Sequence, residues 1–233
     1  MAKHLDLEEQ EQLDELKHFW KTYGNLITWA LIAVFGTFAV WNVYQYWQRS
    51  QAIQAAAMFD EVDRSAAAGS LPLLERSLAD MKDRYGGTMY AQQAALLAAK
   101  AFFEKNKVDE AKAALHWVAE KSSDEGLAAV AKLRLTSLYI SQKSYGDALK
   151  QLADPFPKDF DALVSDRKGD IFSLQGKKAE AIAEYQKSYK LFESQTEYRR
   201  LVEVKLNALG IDPVAEKAIA ASVEAMAASG DKK

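Results

Sequence analysis

The 233-residue chain carries 30 basic and 33 acidic residues, four prolines and no cysteine, which excludes a disulfide framework and thiol chemistry. Residues 1–21 hold three lysines against six carboxylates. The remainder is therefore balanced at 27 of each sign, with no basic stripe to neutralise phosphates, which argues against nucleic-acid binding.

The acidic segment, residues 1–21, reads as a tail. Leu13, Leu16 and Trp20 share one helical face, and Asp14 and Lys17 form an i,i+3 pair, so a surface helix and a solvated leader are both open readings. Residues 22–48 contain no charge. The core of this run, Leu26 to Trp47, is about 33 Å long as a helix and matches a hydrocarbon layer of roughly 30 Å. Its nine Leu, Ile, Val and Phe residues contribute roughly −3 to −5 kcal/mol to insertion. Trp20, Trp29, Trp41 and Trp47 are the expected membrane-anchoring rings, with Phe19, Tyr23, Tyr44 and Tyr46 beside them. The apolar run is longer than a cleaved signal peptide and follows an acidic leader, so the expectation is an uncleaved signal anchor. Basic residues flank both sides (Lys17 and Lys21 before, Arg49 and Arg64 after), and the charge bias for an inside N-terminus is slight.

Beyond the span, Leu, Ala, Glu, Lys and Gln dominate, which favours helix over sheet, and the apolar period is helical. Residues 49–91 read as a linking helical hairpin, Gln51–Ala67 and Leu73–Tyr85, broken at Ala68–Pro72 and stopped at Gly86–Gly87. Three segments then align: Leu96–Glu120, Leu133–Asp154 and Ser165–Lys190. Each has a small or polar residue with an aromatic three positions later: Ala99/Phe102, Thr136/Tyr139 and Gly169/Phe172. Each then places an alanine nine positions on (Ala111, Ala148, Ala181) and a bulky residue four further (Leu115, Leu152, Tyr185). This pattern resembles the tetratricopeptide repeat, a helix–turn–helix unit, over residues 92–195. Asn106 and Gly176 suit a left-handed turn; Lys143 at the equivalent place suits it less, so that turn is expected to differ. Gln195–Leu209 reads as a capping helix, residues 196–233 as the region of that cap and a C-terminal tail, and Asp212–Pro213 could start one last helix. The fold class is all-α: a single transmembrane helix followed by a tetratricopeptide-like helical-hairpin solenoid.

No catalytic, cofactor-binding or metal-binding constellation stands out. His116 is the single histidine of the repeat region, and the carboxylates alternate with lysines (Lys105/Asp109, Lys177/Glu180) as on a solvated helix face. Function then lies in surface. The repeat register directs Leu96, Lys100, Phe103, Leu133, Ser137, Ile140, Asp166 and Asp170 toward a groove suited to a hydrophobic peptide or partner helix.

The leader LDLEEQEQLDELKHFWKTYGN, running into the span and the weak repeats, resembles the ancillary SecYEG translocon subunit family across essentially the whole chain. The resemblance implies a bacterial inner-membrane protein with one anchor, a cytoplasmic N-terminus and a periplasmic repeat domain. It also implies association with the SecYEG translocon and a PpiD-type periplasmic chaperone, in contact with membrane lipid and with unfolded or newly translocated proteins. It brings no enzymatic motif and no cofactor. Two other readings are a scaffold for another envelope complex and an enzyme with a dispersed site around His116.

Overall fold

The computed structural model describes residues 7–215, and among them every regular element is helical. The chain divides into two compact units, residues 1–54 and 55–233.

The first helix, α1, runs Leu7–Ala67 without interruption. The acidic tail is therefore helical from Leu7, and the Lys17 ammonium donates to Asp14 at 3.1 Å. The separate helix expected at Gln51–Ala67 is instead the continuation of α1. Residues 37–68 contain neither glycine nor proline, so nothing in the sequence stops the helix before Gly69. In the first unit the large apolar side chains are bare: Leu26, Trp29, Phe35, Phe38, Val40 and Val43 are all exposed. The polar side chains here close onto their own helix. Thr28 and Thr37 hydroxyls donate to the carbonyls of Gly24 and Ala33, both at 2.7 Å, and the Asn42 amide donates to Phe38 at 2.9 Å. A helix that satisfies its own donors while showing apolar side chains outward is suited to a hydrocarbon environment. It is one helix long and apolar enough to cross a membrane.

The second unit begins with the end of α1 and continues through α2 (Leu71–Tyr85), α3 (Met89–Glu104), α4 (Val108–Lys121), α5 (Glu125–Ser141), α6 (Tyr145–Gln151), a 3-10 turn at Lys158–Phe160, α7 (Asp161–Leu174), α8 (Lys178–Leu191) and α9 (Glu197–Ala208). Starts are marked by caps: the Thr88 hydroxyl accepts from the Ala91 amide, and the Asp124 carboxylate from the Leu127 amide. Pro72 sits in the first turn of α2, where its missing N–H costs nothing.

The ends of alternate helices share one construction. Gly69, Asn106, Lys143, Gly176 and Gly210 all have positive φ. At each, the residue's own N–H donates three residues back and the following N–H donates five residues back, as in Lys107 to Phe102 and Ser144 to Tyr139, the two bonds of a Schellman motif. These five turns lie 37, 37, 33 and 34 residues apart. Lys143 thus does not change its turn. It takes φ 59° and makes the same two hydrogen bonds as Asn106 and Gly176, the bonds and the flanking packing overriding its side-chain penalty. The repeat also extends further than the three aligned segments. The α1–α2 turn and the turn after α9 belong to the same series, although Leu74 replaces the marker alanine in the first hairpin.

Packing follows the expected register. Ala111, Ala148 and Ala181 are completely buried, and Leu115, Leu152 and Tyr185 nearly so. At Gly169 a β-carbon would stand 2.5 Å from the Tyr185 ring, so α7 and α8 touch at a distance only glycine permits. One apolar core runs from the end of α1 to α5, a second joins α5, α6 and α7, and a third joins α8 and α9. Tyr139 borders the first two and Phe172 borders the third. Helix α6 is short because Pro155 and Pro157 follow it; Phe156 between them turns back onto the core beneath Lys132. After Gly210, the Asp212 carboxylate accepts from the Val214 and Ala215 amides, a cap for a further helical start, and the rest of that expected helix lies outside the described residues.

Candidate interaction surface

The eight residues proposed from sequence for the groove fall into three environments. Lys100, Phe103 and Ser137 come together. With Ala99, Leu115, Arg134 and Leu138 they line a largely apolar cleft of about 360 Å³ between α3 and α5, floored by the α4 side chain Leu115. Phe103 is 43% exposed, an unusual position for a large aromatic on a water-facing helix. Leu96 is buried in the first core. Leu133 and Ile140 are half-buried against the second. These three pack the hairpins together and do not face the cleft.

Asp166 and Asp170 form the third group, and they are internal. Asp166 is fully buried. The Lys205 ammonium on α9 donates to Asp166 Oδ1 at 2.6 Å and to Asp170 Oδ1 at 2.7 Å. Tyr198 on α9 donates to Asp166 Oδ2 and Tyr185 on α8 to Asp170 Oδ1, both at 2.8 Å, while Arg167 reaches Asp170 Oδ2 at 3.1 Å. Every carboxylate oxygen has a partner, so the buried charges are stabilised by direct donors on three helices. Burial, reinforced by the hydrogen bond to a neighbouring carboxylate, pushes both tyrosine hydroxyls well above their ordinary range. Sequence alignment placed the two aspartates one helical turn apart but carried no sign of Lys205, 35 and 39 residues further on.

His116 is half-buried, with its Nε2 3.3 Å from the Tyr139 hydroxyl; Lys112 lies over that same ring. Among the described residues no group of three His, Cys, Asp or Glu side chains converges as a metal site would. The Lys82 ammonium is half-buried over Trp117, and desolvation lowers its affinity for the proton. These contacts stabilise the fold. The four tryptophans expected as anchors, Trp20, Trp29, Trp41 and Trp47, are all exposed along α1.

Comparison with known proteins agrees with this architecture. A family model described as a tetratricopeptide repeat-like domain matches residues 17–211, so it includes the apolar stretch as well as the hairpins. A protein of Neisseria gonorrhoeae named ancillary SecYEG translocon subunit is 32% identical over 90% of this chain and 100% of its own length. Proteins of the same name from Escherichia coli and Haemophilus influenzae are 26% and 28% identical, each over 87% of this chain and 97% and 98% of their own lengths. Neither the repeat-like family nor these relatives point to catalysis. An apolar N-terminal helix, hairpins closed by a recurring left-handed turn, and full-length similarity together place the chain in the ancillary SecYEG translocon subunit family, with a tetratricopeptide repeat-like domain.

Proposed function

We propose that this protein is a non-enzymatic accessory subunit of the SecYEG translocon, held in the bacterial inner membrane by residues 22–48. In this reading the acidic tail is cytoplasmic and the repeat unit periplasmic. There it acts as adaptor or chaperone for newly translocated proteins together with a PpiD-type partner. The observation that carries the proposal is a bare apolar helix joined to a repeat unit in a chain similar over most of its length to proteins of that name. The span supplies proximity: a tethered binding surface meets its partner at an effective concentration set by the membrane and by its short connection. The exposed aromatic of the α3–α5 cleft supports a role in receiving polypeptide, because isolated apolar clefts on helical repeats are suited to side-chain recognition. Photo-crosslinking side chains placed singly at positions 29, 35, 38 and 43 of the full chain in membranes test the placement. Adducts with SecYEG subunits are expected from at least one face of the span; adducts with lipid alone from every position overturn it.

A further inference from the structure

The two charged side chains that line the α3–α5 cleft are both basic. Lys100 and Arg134 both border it, and its remaining lining is apolar apart from Ser137. Arg134 spends one N–H on the Leu96 carbonyl at 3.3 Å, and among the described residues no carboxylate pairs with it, so a guanidinium with several free donors stands beside an apolar hole. Lys100 meets Glu104 at 3.8 Å, but both side chains are mostly in water, and such a contact is readily exchanged for another carboxylate. The contrast with the acidic side chains of α7 is informative. Asp166 and Asp170 are already neutralised inside the fold by Lys205 and Arg167, so they do not balance the rim from within. A cavity of about 360 Å³ is at the small end of ligand sites and has room for one or two large side chains, not for a folded partner's face.

Resting on the reading that this surface receives polypeptide, we propose that the cleft selects segments in which a large apolar side chain is flanked by carboxylates. The apolar side chain fills the space against Phe103 and Leu138, and the carboxylates replace Glu104 at Lys100 and reach the free donors of Arg134. Three labelled decapeptides test this against the full chain in detergent. One has Trp-Leu at its centre with two glutamates on each side. The second has the same centre flanked by lysines. The third keeps the glutamates around Ala-Ala. Fluorescence anisotropy is expected to show the first binding at least about fivefold more tightly than either of the others, and the preference for glutamate shrinking as salt rises. Ser137→Trp, which fills the cleft from an exposed position, weakens the first peptide about tenfold or more, and K100E/R134E inverts the preference between glutamate and lysine. Equal affinity for the glutamate- and lysine-flanked peptides, no binding of any of them, or an unchanged preference in K100E/R134E overturns the inference. Crosslinking of the span to SecYEG is read separately, so a chain that still crosslinks but shows no peptide selectivity loses this inference and keeps the proposed function.

Discussion

Lys205 is the residue on which the far end of the repeat unit depends. Replacing it with methionine keeps most of the stem's apolar volume and removes the one ammonium that touches both Asp166 and Asp170. Asp166 has no exposed surface, so water cannot take the place of the lost partner without opening the α7–α9 contact. Breaking a buried ion pair from one side costs about 3–5 kcal/mol. Lys205 itself keeps 21% of its side chain in solvent, which places the expected loss at about 3 kcal/mol. For a unit of this size that lowers the melting temperature by about 6–12 °C. Thermal unfolding of the full chain in detergent, followed by circular dichroism at 222 nm, reads this loss, because the span stays helical in detergent and the transition reports the hairpins. The compensating variant D166N/D170N/K205M removes the stranded charges and is expected to recover at least half of the deficit. A melting point within about 1 °C of wild type for K205M, or no recovery in the triple variant, refutes the internal network as a stabilising lock.

Three further outcomes follow from the same geometry. Lys143→Gly relieves a left-handed lysine of roughly 1–2 kcal/mol of strain and gives back up to about 1 kcal/mol in unfolded-chain entropy, so a rise in melting point of about 1–4 °C is expected, with no rise expected for the same change at Lys107, whose φ is negative. Gly169→Ala gains helix propensity but drives a methyl into the Tyr185 ring, and a net loss of about 1–2 kcal/mol is expected in the same melt. Tyr185 and Tyr198 hold their protons more tightly folded than unfolded, so their contribution is intact below about pH 10 and declines as pH rises past it; ultraviolet titration at 295 nm should show both ionising only as the repeat unit unfolds, and Y185F or Y198F should flatten the alkaline fall in stability.

Much of this was legible in the sequence because the relevant physics is local. A charge-free run has a length that can be compared with a bilayer, and Ala111, Ala148 and Ala181 recur at a spacing that only close helix packing requires. What could not be read locally was whatever depended on a distant partner. Asp166 and Asp170 fit a surface stripe by register, and the packing of α8 and the return of α9 bring their partners onto them. Leu96, Leu133 and Ile140 share that register, but neighbouring hairpins cover them. Lys143 shows the limit of intrinsic preference: two backbone hydrogen bonds and a buried Ala148 fix its turn against its own side chain. The first hairpin escaped alignment because Leu74 stands where the inner ones carry alanine, while the turn geometry, which fewer sequence letters encode, remained the same.

Whether the chain serves the translocon and not another envelope assembly is decided by the proteins that travel with it. The tagged full chain is extracted from its own host's membranes in mild detergent and its partners are quantified by mass spectrometry, beside a control that carries the same repeat unit on an unrelated span. SecYEG subunits are expected to be enriched with the native chain well above the control. Enrichment of a different envelope complex, with SecYEG at the control level, contradicts that expectation.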